Sequence, residues 1–113
     1  MKLSPRETRL ARDAIDLARR YRQTFPVILR SGLTVREMEC LLAIAIRERA
    51  TATEVSDDLD RDLPSISRTM HRLRSRGLVS RIEIKGRAEP HALTDAGARS
   101  VQAFLNRRRG IDA

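Results

Sequence analysis

The stretch LDRDLPSISRTMHRLRSRGLV, residues 59–79, constrains the fold most because it predicts a short helix with two different faces. Asp62 is a good N-cap, Pro64 is tolerated in a first turn that needs no amide donor, and Gly77 ends the helix. One face is apolar at the spacing i, i+3, i+4 and i+7 and consists of Ile66, Thr69, Met70 and Leu73. The opposite face is polar and consists of Pro64, Arg68, His71 and Ser75, flanked by Ser65 and Arg72 on one edge and by Ser67 and Arg74 on the other.

A helix that buries one face and exposes hydroxyls and arginines on the other is suited to the major groove of DNA. Arginine can donate paired hydrogen bonds to guanine or bind a phosphate, and serine fits close to the backbone. An ordinary surface helix would also carry polar side chains, because charge on an outer face is the default. The helix alone leaves both interpretations open.

The charge of the chain is strongly basic and unevenly distributed. The net charge is +8 and the pI is near 11.2, which suits a polyanionic partner. Residues 51–60 carry four acidic side chains and no basic one, whereas residues 61–87 carry eight basic and two acidic side chains. The basic block therefore covers the helix described above and the segment after it. RNA or an anionic membrane would suit the same total charge.

Length and composition predict one domain with an aliphatic core. The 113 residues are 41% apolar but include only one Tyr, two Phe and no Trp, so a pocket built on aromatic stacking is not expected. Cys40 is the only cysteine in the sequence, which excludes an intramolecular disulfide, and a buried, inert thiol is favoured over a redox switch. The sequence has no long apolar run and no signal-peptide core, so we expect a cytoplasmic protein that does not span a membrane.

Three capping boxes predict where the first three helices begin. Each places a hydroxyl three residues before a glutamate, and the pairs are Ser4 and Glu7, Thr34 and Glu37, and Thr51 and Glu54. The first helix should be long and ended by Pro26, with residues 25–31 as an apolar connector. The second should be the centre of the core through Met38, Leu41, Leu42, Ala45 and Ile46. The third is short, with Val55 and Leu59 inward, so residues 51–76 have the spacing of a helix-turn-helix.

A β-hairpin is predicted after Gly77, over residues 79–93. The first strand alternates charged and apolar side chains with period two: Arg81, Ile82, Glu83, Ile84 and Lys85. Residues 85–90 form a polar loop, and residues 91–93 return as a second short strand. A hairpin with Lys85 and Arg87 at its tip, directly after such a helix, is a wing that reaches the adjacent minor groove or phosphates.

The first and last helices complete the predicted domain. The apolar stripe of the first helix needs a cover, which either the rest of the domain or a second copy of the chain could supply. The apolar stripe of the first helix consists of Leu10, Ala14, Leu17, Ala18 and Tyr21. Thr94 caps a last helix that ends at Gly110 and whose apolar ridge is Val101, Phe104 and Leu105. The basic triplet near its end either complements the helix dipole or contacts a partner, and it consists of Arg107, Arg108 and Arg109.

Several short motifs follow one another without a gap over residues 32–97. They consist of Gly32, Leu33 and Thr34; Val55 and Leu59; Ile66, Ser67 and Arg68; Arg72 and Leu73; Gly77, Leu78 and Val79; and Arg87, Leu93, Thr94 and Gly97. Together they resemble the winged helix-turn-helix of the MarR family of transcriptional regulators. The resemblance implies a mainly α fold with a small antiparallel β-hairpin, in a single domain spanning residues 1–113. It also implies a homodimer formed through residues 5–24 and 94–109.

Three features depart from the pattern of that family. Lys85 stands where the family usually has an aspartate two residues before its arginine, so we expect a more basic wing tip without the family's internal ion pair. Pro90 should shorten the hairpin. The chain is shorter than most members at its C-terminus, which in the family helps to build the dimer and the ligand pocket. A small-molecule effector therefore stays unknown.

Neither an enzyme nor a cofactor-binding protein is expected. His71 and His91 are twenty residues apart without a nearby Cys or His, which argues against a zinc site. The chain has no glycine-rich loop for a phosphate, and its serines lack an obvious base. A helix end and a cap explain the acidic run at residues 57–62 better than a magnesium site does.

The leading hypothesis is a sequence-specific regulator that binds double-stranded DNA, with helix 63–76 in the major groove and wing 85–90 in the minor groove. As a homodimer it would read half-sites about one helical turn apart in a near-palindrome. The predicted DNA contacts are Arg61, Pro64, Ser65, Ser67, Arg68, His71, Arg72, Lys85 and Arg87. The alternative is a winged-helix module that docks a protein partner without specific DNA binding.

Overall fold

The computed structural model describes residues 1–112, and the side chains of Ala18, Phe25, Leu29 and residues 108–112 lie outside the described part. Within it the elements are α1 (Pro5–Arg30), α2 (Val35–Arg47), α3 (Ala52–Leu59), α4 (Leu63–Ser75), β1 (Val79–Arg81), β2 (His91–Leu93) and α5 (Asp95–Asp112). The two strands pair antiparallel. This confirms the mainly helical fold with a small hairpin, and α3 and α4 form the predicted helix-turn-helix. None of the described helices is both long and apolar enough to cross a membrane.

Two details of the terminal helices fall outside the described side chains. These are the place of Ala18 in the stripe of α1 and the contacts expected for Arg108 and Arg109.

The backbone of α5 is described to Asp112, so the prediction that the last helix ends at Gly110 is wrong. Glycine weakens a helix by about 0.5–1 kcal/mol without forbidding it.

Pro26 lies inside α1, so the predictions that it ends the first helix and that residues 25–31 form a connector are wrong. Proline costs a helix interior about 3 kcal/mol because it removes one amide donor and crowds the preceding turn. Val27 and Ile28 follow it and are each 5% exposed in the core. Burying two such side chains contributes about 1.5–3 kcal/mol each, which outweighs the proline, and the helix continues to Arg30.

The centre of the core is α2, which packs against α1, α3, α4, α5 and β2. Met38 and Leu41 are fully buried as predicted, but Ile44 is fully buried in place of Ile46, which is 85% exposed. Because neighbours surround α2, it buries a broad face rather than the single stripe that the spacing suggested. Ile46 lies in the last turn, at the edge of a shallow groove that Leu59 of α3 also lines.

Local capping interactions set the helix ends as predicted. In all three capping boxes the glutamate amide donates to the hydroxyl at 3.1–3.2 Å and the glutamate carboxylate accepts from the cap amide at 2.8–3.0 Å. Asp62 caps α4. Gly77, at φ 73°, follows its end, and the amides of Gly77 and Leu78 donate to the carbonyls of Arg74 and Leu73. This pairing is typical of a helix that ends at a left-handed glycine.

The wing is a shorter hairpin than the alternation of residues 81–85 suggested. Three residues of each strand pair, from Val79 with Leu93 to Arg81 with His91. One further hydrogen bond runs from the Ile82 amide to the carbonyl of Pro90 at 2.8 Å. Proline has no amide with which to continue the ladder, so the pairing ends there. The shortening expected from Pro90 is confirmed.

A close backbone contact fixes the start of α5. The Thr94 hydroxyl donates to the carbonyl oxygen of Gly77 at 2.6 Å and accepts from the Gly97 amide at 3.1 Å. A Cβ atom at Gly97 would lie 2.0 Å from the carbonyl oxygen of Leu78. Only glycine lets the first turn of α5 approach the backbone between α4 and the wing.

The apolar ridge of α5 is partly as predicted. Val101 and Phe104 are 6% and 7% exposed and belong to the core, whereas Leu105 is 41% exposed. The helix packs on α1 and α2 through the first two residues and leaves the third at the surface.

We expect Gly97→Ala to lower the free energy of unfolding by about 1–3 kcal/mol, because the added methyl group overpacks a site closed by backbone atoms. Urea denaturation followed by circular dichroism measures the change. Arg99→Ala, at an exposed position of the same helix, is the control. A Gly97→Ala protein as stable as this control would contradict the close contact.

Candidate nucleic-acid interface

The two faces of α4 are divided as the sequence predicts. Its apolar stripe is fully buried and consists of Ile66, Thr69, Met70 and Leu73. The side chains expected to contact DNA lie at the surface with one exception, and the exposed ones are Arg61, Pro64, Ser67, Arg68, His71, Arg72, Lys85 and Arg87. The periodicity of the sequence therefore identified most of an outward-facing polar surface.

Ser65 is the exception, because it is 5% exposed and its hydroxyl accepts a hydrogen bond from Arg36 Nη1 at 2.5 Å. The first turn of α4 rests against α2 at this point, so the hydroxyl is turned into the protein. The prediction that Ser65 contacts DNA is therefore corrected. Helical spacing placed it at the boundary of the polar face, and only the fold brings Arg36 beside it.

Two of the arginines predicted to contact DNA, Arg61 and Arg72, each have a protein neighbour. Arg61 Nη2 lies 3.6 Å from Glu39 Oε1, and Arg72 Nη2 donates to the Thr69 hydroxyl at 3.1 Å. The Arg61 side chain is 40% exposed. Ion pairs at such positions contribute only about 0–1 kcal/mol, so a phosphate can compete for the guanidinium.

A contact that the sequence analysis missed joins α4 to the wing. Arg74 Nη1 lies 2.6 Å from His91 Nε2, and Arg74 Nη2 lies 3.4 Å from His71 Nδ1. His91 is 4% exposed. The sequence did contain a sign that His91 is buried, because it lies two residues before Leu93 and residues two apart in a strand share a face. That spacing does not indicate that the ring contacts Arg74 of α4.

The wing turns back beside α4, and an open basic cleft lies between them. The cleft has a volume of about 430 Å³, and its charged or polar lining includes Ser67, Arg74, Arg81, Arg87, Glu89 and His91. Arg81 Nε lies 2.6 Å from Glu89 Oε2. The hairpin thus carries an ion pair at the end of its paired residues, while the expected basic pair at the tip, Lys85 and Arg87, is exposed.

Several carboxylates next to this surface have structural partners. Arg47 lies 2.9 Å from Glu54 and 2.7 Å from Asp58, and the hydrogen bond from Arg47 lowers the pKa of Asp58. Asp62 accepts from the amide of Ser65 as the cap of α4. Among the side chains that the structure describes, no three of His, Cys, Asp or Glu are grouped as metal ligands.

Cys40 is buried beneath the same helices. It is 0% exposed, and burial, followed by the charge of Glu39, raises the pKa of its thiol to about 11. The thiolate is the reactive form of cysteine, so a raised pKa and a covered sulfur both oppose reaction. The predicted burial is confirmed.

A helix-turn-helix followed by a hairpin that packs beside its second helix defines a winged-helix protein, and solved structures share this architecture. The chain is similar to a MarR family protein from Bacillus stearothermophilus, with 15% identity and a TM-score of 0.86 over 99% of this chain and 81% of that one. A MepR mutant from S. aureus bound to an oligodeoxyribonucleotide has 16% identity and a TM-score of 0.78, over 98% and 80%. A MarR mutant from E. coli complexed with operator DNA has 21% identity and a TM-score of 0.73, over 94% and 78%.

A family model described as "Sugar-specific transcriptional regulator TrmB" matches residues 29–94. The match spans more than half of the chain, which therefore belongs to this family of transcriptional regulators. The curated proteins contain no match to the chain. The MarR-like winged-helix architecture expected from the sequence motifs is confirmed by the structural comparisons.

We expect Cys40 in the native protein to react with a thiol reagent at pH 8 on the order of 100-fold more slowly than in the urea-unfolded chain, because both thiolate and access are lost. Absorbance of the released thiol-exchange product measures both rates. The native rate should rise with pH as the thiol approaches its raised pKa. Equal rates in the two states would contradict a buried, inert thiol.

Proposed function

We propose that this winged-helix transcriptional regulator binds double-stranded DNA in a sequence-specific manner as a homodimer. The observation that carries the proposal is the exposed polar face of α4 beside the exposed Lys85 and Arg87 of the wing. A helix fits the major groove, and a basic hairpin next to it reaches the minor groove. The DNA complexes of MepR and MarR add support, because those proteins share this fold.

The role of each proposed contact follows from its position. The start and outer face of α4 read bases, the arginines at its borders bind phosphates, and the wing tip enters the minor groove. The major-groove contacts are Pro64, Ser67, Arg68 and His71; the phosphate contacts are Arg61 and Arg72; and the minor-groove contacts are Lys85 and Arg87. Phosphate contacts hold the protein in register, and base contacts supply specificity.

A second copy of the chain is the proposed cover for the N-terminal part of α1. Leu10, Leu17 and Tyr21 are 59%, 70% and 57% exposed, whereas Val27 and Ile28 near the end of the helix are buried. A contiguous apolar stripe at a surface is typical of an interface. In a twofold dimer the two copies of α4 would enter successive turns of the major groove at a near-palindrome. The proposed interface combines residues 5–24 with residues 94–109.

We expect Arg68→Ala and Arg87→Ala each to weaken DNA binding by about tenfold, because an arginine contact in a groove is worth about 1–3 kcal/mol. The probe is a duplex that the unaltered protein enriches from fragmented genomic DNA, and mobility shift measures its affinity. Arg30→Ala is the matched control, since Arg30 is an exposed arginine of α1 outside both the proposed DNA contacts and the proposed dimer interface. Unchanged affinity of both variants would remove the proposed surface.

The same titrations at two salt concentrations separate DNA binding from the second candidate function, docking of a protein partner. That alternative draws support from Ile46, whose side chain is 85% exposed beside α3. A regulator that neutralises six to ten phosphates loses about 10³–10⁵ in affinity between roughly 50 and 200 mM salt. A protein-docking module would enrich no duplex and show no such salt dependence.

We expect the double variant Leu10→Glu and Leu17→Glu to be monomeric, because carboxylates would have to be buried in the proposed interface. Sedimentation equilibrium measures the mass, which should change from twice 12.9 kDa to 12.9 kDa. Ile46→Glu is the control, since it adds the same charge at an exposed apolar position on a different helix. A parent chain that is monomeric, or a double variant that stays dimeric, would contradict this interface.

A further inference from the structure

Three elements meet at His91. Its amide donates to the carbonyl of Ala50 at 2.7 Å and its carbonyl accepts from the Ala50 amide at 2.9 Å, which ties the wing to the segment just before the cap of α3. Its backbone is also paired with Arg81 of β1. Its ring is in contact with Arg74 of α4 through Nε2 at 2.6 Å. His91 thus connects the returning strand of the wing to α4 and to the segment that leads into α3.

The contact with Arg74 specifies the protonation state of the ring. A guanidinium only donates hydrogen bonds, so Nε2 must accept and the proton of a neutral ring must lie on Nδ1. Nδ1 of His91 is buried and has no hydrogen-bond partner among the described residues. An aliphatic side chain would fill the same space without an unsatisfied nitrogen. Packing alone therefore does not explain an imidazole at this position. What the imidazole adds to an aliphatic side chain is the hydrogen bond to Arg74.

The surroundings of the ring disfavour a positive charge. Burial, then the charges of Arg74 and Arg81, lower the pKa of His91, whereas hydrogen bonding with the Ala50 backbone and the carboxylate of Glu89 oppose the lowering. Glu89 is itself paired with Arg81. On the other side of Arg74, His71 Nδ1 lies 3.4 Å from Arg74 Nη2. Protonation of His91 would add a cation to a cluster that already contains two arginines.

The helices that also pack against β2 are α2 and α5. Their buried side chains are apolar, apart from Cys40 and Glu37 of α2. The Glu37 carboxylate accepts from the cap amide of Thr34 and lies 3.5 Å from Arg76 Nη1. Arg74, Arg81 and Glu89 are thus the charged groups that influence the state of His91, and His71 lies on the far side of Arg74.

We propose that His91 is a positioning residue that holds the wing against α4 through Arg74, and that its protonation releases this contact and weakens DNA binding. This inference rests on the proposed function. The neutral ring is the form that accepts from Arg74, so the wing is held at neutral and higher pH. Because the pKa of His91 is lowered by the fold, the contact is lost only as the pH falls below the ordinary histidine range of about 6.5.

The test measures duplex affinity by fluorescence anisotropy between about pH 5 and pH 8. The probe is again the duplex enriched from genomic fragments. All variants keep His71, which the proposed function places in the major groove, so that the parent chain and each variant differ only at the contact being tested. Arg30→Ala controls for the loss of an arginine away from the contact.

We expect His91→Leu to weaken binding about tenfold at pH 7.5, because it keeps the burial but removes a hydrogen bond to a charged group. His91→Gln should recover most of that loss, since its amide oxygen can accept from Arg74. It should also abolish the extra weakening in acid, because glutamine does not titrate. In a double-variant cycle, Arg74→Leu should cost little further affinity once His91→Leu is present.

Nuclear magnetic resonance of the ring nitrogens in the free protein reports the contact without DNA. The expected spectrum of His91 is that of a neutral ring with its proton on Nδ1 and a lowered pKa. A proton on Nε2 of His91 would overturn the inference, as would the same acid profile in the parent and in His91→Gln. A protein that enriches no duplex would overturn the proposed function, and this inference with it, whereas a failed His91 series alone would leave DNA binding intact.

Discussion

Burial of the apolar face of α4 against α2 is the interaction on which the other features depend. Ile66, Met70 and Leu73 are fully buried, and each such side chain contributes about 1.5–3 kcal/mol, more than a surface ion pair does. Because the faces of a helix are linked by its geometry, burying this one decides which side chains remain outside. The outward direction of Arg68 is thus a consequence of core packing, and the end of α4 at Gly77 then directs the chain into the wing.

The wing depends on the core in turn. A hairpin with three paired residues on each strand is too short to be stable alone. It is stabilised by the backbone pairing with Ala50, by the contact of His91 with Arg74, and by the close approach of Gly97 to Leu78. These contacts place the basic wing tip and the polar face of α4 around one cleft. The surface proposed for DNA is therefore a product of the same packing that stabilises the domain.

Much of this architecture was predictable, because the signals involved are local. The caps at Thr34, Thr51 and Asp62 act within three residues, and the left-handed glycine at position 77 acts within one turn. The stripe of α4 was predictable because helical spacing alone decides which of its residues share a face. The prediction that Pro26 ends the first helix was wrong, because burial of the two residues after the proline outweighs its local cost to the helix. That burial depends on the tertiary fold, so local sequence rules do not predict it.

The sequence by itself determined the helix starts, the turn after α4 and the position of the basic block, since these follow from side-chain chemistry over a few residues. The tertiary structure decided which borderline residues are available. It buries Ser65 beneath Arg36, turns Ile46 outward, and brings His91 to Arg74. The two contacts join residues on different elements, and the exposure of Ile46 depends on which elements surround α2. The arrangement of the elements is set by packing of the whole core rather than by spacing along the chain.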